Sequence, residues 1–199
     1  MNNHSATEAT TSPPARYSER ITDPAFAAYL RKSNCWSLLF AAGLFVLATV
    51  AFPIYGNVSG DIEWPQSLFY GMGIGAMFVL IAVGQVLRRR LDRTWDGVVI
   101  NREVVTRRTR GHGGRARTYT EYVLQVQKDF GGVKTHRWRN NAGVFAYYNV
   151  GDRVRHHKGF AFYEKLDKSR DDKILCIACL TFADARADTC PRCKCPLLK

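Results

Sequence analysis

CWSLLFAAGLFVLATVAFPIY at residues 35–55 and SLFYGMGIGAMFVLIAVGQVL at residues 67–87 are the two stretches that decide the fold of this 199-residue chain. Neither stretch contains Asp, Glu, Lys, Arg or His. Each has the roughly twenty residues that an α-helix needs to cross the hydrocarbon core of a bilayer. Because lipid cannot pair with backbone N–H and C=O groups, both stretches are predicted to be membrane helices. Two buried core helices are the alternative, but no amphipathic segment is available to cover them.

The charges beside these stretches predict their orientation. Arg31 and Lys32 precede the first stretch, and the intervening loop carries only the acidic residues Asp61 and Glu63. The second stretch is followed by a basic cluster, namely Arg88, Arg89, Arg90 and Arg93. Since basic residues mark the cytoplasmic side, we expect a multi-pass plasma-membrane protein with both termini in the cytoplasm.

The segment before the first stretch has two parts. Residues 1–23 begin with a run rich in Ser, Thr, Ala and Pro, and we expect this N-terminus to be disordered in the cytoplasm. Asp23 followed by Pro24 is typical of a helix start, so a helical membrane hairpin is predicted over residues 24–93.

The second stretch contains Gly71 and Gly75 at a spacing that permits close helix contact. Packing within the hairpin and homo-oligomerisation both account for this spacing. The absence of Asp, Glu, Lys, Arg and His from both stretches makes a transporter or a pump an unfavourable interpretation.

Residues 94–173 are predicted to form a basic β domain. Residues 88–199 hold 25 Lys and Arg against 12 Asp and Glu, and such an excess favours nucleic acid, an anionic membrane surface or an acidic protein as partner. Short β-branched and aromatic runs separated by glycine turns predict strands at 95–105, 117–127, 131–139 and 145–159. Their number and length suggest a small all-β barrel of OB or SH3-like size.

The densest positive charge surrounds the sequence RGHGGR, which is predicted to be a hairpin tip. Its arginines are Arg107, Arg108, Arg110, Arg115 and Arg117. They are candidates for contact with anionic lipid headgroups or with nucleic acid, and a solvated loop is the plain alternative.

Aromatic residues and histidines in the β domain have two interpretations each. Trp138, with Tyr147 and Tyr148 nearby, would suit a platform for stacking bases, although aromatic residues at strand spacing more often fill a core. His156 and His157 are adjacent on a predicted strand and therefore point to opposite faces. A structural role is expected for them rather than shared metal binding.

Residues 174–199 hold the most specific chemical motif of the chain, two C-x2-C pairs ten residues apart. The four residues are Cys176, Cys179, Cys190 and Cys193. Two such pairs supply the tetrahedral sulfur set of a structural Zn²⁺ site, so a C-terminal zinc ribbon is predicted. A cytoplasmic location disfavours disulfides, and no βαβ pattern supports a thioredoxin-like dithiol.

Two features depart from the usual cysteine knuckle. Leu180 and Lys194 stand where glycine often follows the second cysteine of each pair, and Cys195 could compete with Cys193 as a ligand. Cys35, within the first apolar stretch, is interpreted as a packing residue.

The stretch GDRVRHHKGFAFYEKLDKSRDDKILCIACLTF, followed by CPRCKCPLLK, resembles uncharacterised bacterial membrane proteins. In that family two helices precede a small β domain and a C-terminal zinc-ribbon-like tail. The resemblance covers roughly residues 94–199 and implies a bacterial inner-membrane protein. It implies no activity, substrate or catalytic residue.

The sequence therefore favours a non-enzymatic, membrane-anchored adaptor at the cytoplasmic face, which binds a protein partner or an anionic lipid surface. A membrane-tethered nucleic-acid-binding protein is the alternative. An enzyme is the weakest interpretation, because four thiolates would leave a zinc ion no open position for water.

Overall fold

The computed structural model describes residues 16–60, 62–110 and 116–199. A 3-10 helix spans Glu19–Thr22, and the further elements are α1 Pro24–Ser59, α2 Gln66–Leu91, β1 Trp95–Arg110, β2 Ala116–Lys128, β3 Val133–Arg139, α3 Gly143–Tyr147, β4 Arg153–His156, β5 Tyr163–Lys165, β6 Lys173–Leu175 and β7 Phe182–Asp184.

Helix α1 begins where the sequence predicts it. The side chain of Asp23 accepts a hydrogen bond from the backbone N–H of Ala25, and Pro24 occupies the first turn, where its missing N–H costs nothing. The helix ends at Gly60, which has a φ of 72° and donates its N–H to the carbonyl of Gly56. Both α1 and α2 are long and apolar enough to cross a membrane.

The two long helices pack against each other as an antiparallel hairpin. Gly71 lies against the backbone of Ala48, and Gly75 lies against Phe45. At the other end of the pair, Arg89 of α2 donates to the side chain of Asn34 in α1. The predicted glycine spacing thus serves contact within the hairpin, and homo-oligomerisation through these glycines stays a prediction.

The β domain is an antiparallel sheet with the strand order β3-β2-β1-β4-β5. On β2, Leu124 and Val126 are fully buried in the core. The predicted strand at 145–159 is wrong in its first part. Residues up to Tyr147 belong to α3, which places Phe145 in the same core, and β4 begins only at Arg153.

The two outer strands of the sheet approach each other over the core. A side-chain hydrogen bond of 2.6 Å joins His136 Nε2 on β3 to the hydroxyl of Tyr163 on β5. Phe162 packs beside this bond against the rings of His136 and Trp138. The sheet is therefore strongly curved, while its closure into an OB or SH3-like barrel stays a prediction.

The residues just before α1 lie against the β domain, which differs from the disordered N-terminus expected up to residue 23. The backbone N–H of Ser18 donates to Glu164, whose carboxylate is fully buried and also bonds His157 and Lys168. Burial alone would raise the pKa of Glu164, but these hydrogen bonds lower it below the usual range. Glu164 thus joins the N-terminal segment to the sheet; residues 1–15 lie outside the described part.

The cysteine-rich tail packs on the first turns of α1. Phe26 is buried between Phe160 of the β domain and the tail residues Ile177 and Leu198, and the Phe26 and Phe160 rings meet edge to face at 5.6 Å. The start of α1, the β domain and the tail are consequently in contact at one end of the hairpin.

Candidate metal centre and basic surfaces

The two cysteine pairs lie in turns of the same geometry. In the first turn, Leu175 of β6 pairs with Phe182 of β7, and in the second, Thr189 pairs with Pro196 at the equivalent positions. Each turn contains the same two backbone hydrogen bonds, namely Cys176 N to Thr181 O, Leu180 N to Cys176 O, Cys190 N to Cys195 O and Lys194 N to Cys190 O. The tail is thus a pair of structurally equivalent knuckles.

The four predicted ligands converge on one point. Their sulfur atoms all lie within 4.8 Å of one another, with Sγ–Sγ distances of 3.5 Å for Cys176–Cys193 and for Cys179–Cys190. A tetrahedral site with Zn–S bonds of ~2.3 Å has S–S edges of about 3.8 Å, whereas a disulfide bond is only about 2.05 Å long. The cysteine cluster predicted from the spacing is confirmed as a set that could hold a metal ion.

Cys195 does not belong to this sulfur set. Its side chain is buried against Phe26 and Leu198, and its Sγ lies 3.8 Å from the carbonyl oxygen of Ala25. Its backbone N–H instead donates to Cys193 Sγ. The thiol of Cys195 also interacts with the Cys193 side chain, so the choice of the fourth ligand between these two cysteines stays a prediction.

Burial and hydrogen bonds act in opposite directions on the thiols of Cys176 and Cys179. Burial raises the pKa of Cys176 to about 12, although the backbone N–H groups of Cys179 and Ala178 oppose this rise. At Cys179 burial is outweighed by hydrogen bonds from the side chain and backbone of Thr181, which lower the pKa to about 7. A divalent cation would supply the charge needed to hold all four sulfurs deprotonated.

The predicted arginine hairpin is a two-stranded arm, which we call the basic arm and define as residues 106–110 and 116–120. Strand β3 pairs with β2 only from Glu121 onward, and β4 pairs with β1 only over residues 95–98. Apart from Thr120, which exchanges hydrogen bonds with Asn140, the arm strands therefore pair only with each other in the described part of the chain.

The five candidate arginines differ in whether their side chains form a salt bridge, are exposed, or lie outside the described residues. Arg107 forms a salt bridge with Glu121, whereas Arg108 and Arg117 are exposed on the arm. Arg115 and the side chain of Arg110 lie outside the described residues. Two exposed guanidinium groups on the arm are thus placed for contact with an anion.

The predicted stacking platform is largely used for packing. Tyr148 is fully buried and donates its hydroxyl to the carbonyl of Tyr163, and Tyr147 packs on Phe182. Trp138 stacks on Phe162. Tyr148 is therefore a core residue, as the alternative interpretation expected, and Tyr147 and Trp138 are partly buried against the same core.

The adjacent histidines face different partners, as predicted. His156 Nε2 lies 2.8 Å from Asp92, and His157 Nε2 lies 2.7 Å from Glu164. Each histidine therefore has a structural hydrogen bond to its own carboxylate.

A cavity of about 650 Å³ lies where the hairpin meets the β domain, and we call it the junction cleft. Its lining includes Arg88, Arg89, Asp92, Lys128, Lys134 and His156. The sequence analysis did not group these residues, because they come from α2, its end, and strands β2, β3 and β4. Of these lining residues, the sequence analysis grouped only Arg88 and Arg89, as members of the basic cluster after the second apolar stretch.

Comparison with protein-family models, with curated proteins and with solved structures found no match for this chain.

Proposed function

We propose that the chain is a non-enzymatic, membrane-anchored binding module of a bacterial inner membrane, with both termini in the cytoplasm. The exposed apolar surface of the helices supports insertion. Only 6% of the most apolar window of α1 and 22% of that of α2 are buried, whereas a core helix would be mostly covered. The basic ends of the hairpin support the cytoplasmic orientation.

The cysteine cluster is proposed to be a structural zinc ribbon. Two equivalent knuckles and four sulfurs that lie within 4.8 Å of one another support Zn²⁺ coordinated by Cys176, Cys179, Cys190 and Cys193. Four thiolates fill the coordination shell, so the ion would stabilise the fold and would not activate water.

The observation that carries this proposal is the contact between the tail and the first turns of α1. Phe26 is 3% exposed and lies between Leu198 and Phe160. Formation of the metal site would therefore fix the β domain on the hairpin and present the basic arm at a set position. This arrangement suits an adaptor that holds a partner beside the membrane.

The partner is proposed to carry negative charge. The exposed Arg108 and Arg117 extend on the arm beyond the five-stranded part of the sheet. An acidic protein surface or an anionic lipid surface complements them. Nucleic acid is the alternative, supported by the same charge but not by stacking, because Trp138 packs on Phe162.

The test is site-specific photocrosslinking of the full chain in native membranes. A photoreactive amino acid at Arg108 should form protein adducts that disappear when Arg117→Glu is added. The same probe at Val133, which is 49% exposed on β3, is the matched control. Equal adducts at both positions, or adducts unaffected by Arg117→Glu, would contradict the arm as a binding surface. Salt-dependent oligonucleotide binding by the full chain would support the alternative.

A further inference from the structure

The junction cleft lies at the cytoplasmic end of the apolar helix surfaces. Leu30 and Ser33 of α1 line one side, and Gln85 and Arg88 of α2 line another. The apolar stretches of these helices start at residue 35 and end at residue 87. In the proposed membrane orientation, on which this inference rests, the cleft is at the depth of the lipid headgroups.

Basic side chains surround the cleft without acidic partners. Arg88, Arg89, Lys128 and Lys134 line it, and within residues 16–60, 62–110 and 116–199 none of them forms a salt bridge. Arg89 bonds only neutral side chains of α1, and the Lys128 ammonium lies over the Trp95 ring at 5.2 Å. The cleft is therefore strongly attractive to an anion.

The one carboxylate of the cleft is already engaged. Asp92 accepts hydrogen bonds from His156 Nε2 at 2.8 Å and from the backbone N–H of Gly159 at 2.9 Å. Burial would raise the pKa of Asp92, but these bonds lower it below the usual range, so the carboxylate is ionised. It neutralises only a part of the surrounding positive charge.

His156 contributes its ring to this lining. The residue is 8% exposed, and its Nδ1 is buried without a hydrogen-bond partner in the described part of the chain, so a ligand does not reach that atom in this geometry. A ligand phosphate would instead pair with the nearby cations.

The cleft also has an apolar side, which distinguishes a lipid from a free anion. Leu30, Phe160 and Ile177 line it together with the basic residues. Arg88 and Arg89 are also explained by the orientation rule for membrane helices, but Lys128 and Lys134 come from the sheet and reach the same cavity. An amphiphile matches both kinds of lining.

We propose that the junction cleft binds the headgroup phosphate of an anionic phospholipid. The phosphate lies among the basic side chains of the cleft. The acyl chains extend beside the exposed apolar faces of α1 and α2.

The test uses the full chain, reconstituted in phosphatidylcholine nanodiscs that contain phosphatidylglycerol, and native mass spectrometry of the lipids retained after detergent extraction. Phosphatidylglycerol should be retained on the wild-type chain. Lys128→Gln with Lys134→Gln should lower the retained fraction at least tenfold. Arg170→Gln with Lys173→Gln removes the same charge from two exposed positions outside the cleft and should leave retention unchanged.

A competing soluble ligand identifies the chemistry. Soluble glycerol 3-phosphate at millimolar concentration should not displace the lipid; displacement would overturn the lipid proposal in favour of a free anion. Equal retention in the cleft variant and in the Arg170/Lys173 control variant would overturn the proposal as well.

Membrane insertion is read separately by alkaline carbonate extraction, and folding of each variant by its bound metal and its thermal transition. If the chain is inserted and folded but retains no phosphatidylglycerol, lipid binding in the cleft is refuted and the proposed membrane-anchored binding module is unaffected. If carbonate extracts the chain from the membrane, both the anchored module and lipid binding in the cleft are refuted.

Discussion

Leu180 and Lys194 occupy the same position in the two cysteine knuckles, and both have a left-handed backbone, with φ of 59° and 61°. This conformation is strained for residues with a Cβ atom and is free of strain for glycine. The two residues thus keep the knuckle geometry that the sequence alone made doubtful.

Lys194→Gly is therefore expected to stabilise the chain. The Lys194 side chain is exposed, so little packing is lost, and relief of strain should raise the free energy of unfolding by about 1 kcal/mol. Urea unfolding in mild detergent measures the change. Lys194→Ala removes the charge and keeps the strain, so it should not stabilise; a similar gain in both variants would assign the effect to charge.

The identity of the fourth ligand is tested by two neighbouring cysteines. Cys193→Ser should abolish stoichiometric zinc, because it breaks the four-sulfur set. Cys195→Ala should retain one zinc per chain, because Cys195 Sγ faces Ala25 and its backbone N–H remains in place. Elemental analysis of both purified variants gives the result. Loss of zinc only in Cys195→Ala would reverse the assignment.

Contact within the hairpin is tested at Gly71. A Cβ atom there would lie 2.6 Å from the carbonyl oxygen of Ala48, so Gly71→Ala must push the helices apart and should cost about 1–3 kcal/mol. Gly73→Ala is the matched control, since no atom lies within 4 Å of its Cβ position. Thermal unfolding in detergent measures stability, and native mass spectrometry measures the oligomeric state. Dissociation of an oligomer without loss of thermal stability would instead favour homo-oligomerisation through Gly71 and Gly75.

The orientation of the hairpin is tested with a membrane-impermeant maleimide on intact cells. Glu63→Cys, in the loop between α1 and α2, should be labelled without permeabilisation. Lys158→Cys, exposed in the β domain, should be labelled only after the membrane is opened. Labelling of Lys158→Cys alone in intact cells would reverse the proposed topology.

The parts of the fold that the sequence predicted are those encoded within one segment. The apolar lengths of α1 and α2, the Asp23-Pro24 helix start and the cysteine spacing are local patterns. The helical turn at Phe145 was missed, because FAYY has the aromatic composition of a strand and is helical only through its packing in the core.

Contacts between distant segments could not be predicted. The burial of Leu198 against Phe26 brings together the two ends of the chain, and no local pattern encodes it. The same holds for Cys195, which spacing alone left as a competing ligand. The junction cleft joins Lys128, Lys134 and His156 across the sheet and is visible only once the strands are paired.

His136 predicts a specific dependence of stability on pH. Burial, and then the charges of Lys134 and His156, lower its pKa to about 4 in the folded chain, whereas an unfolded histidine titrates near 6.5. Between these two values the unfolded state binds more protons, so the free energy of unfolding falls as the pH is lowered through this window. The full effect is about 3 kcal/mol. His136→Gln keeps a polar group beside Tyr163 and should flatten the pH dependence, as measured by urea unfolding at pH 7 and pH 5. The cysteine site and Glu164 are present in both proteins and affect both curves alike, so identical slopes would show that His136 does not titrate in this way.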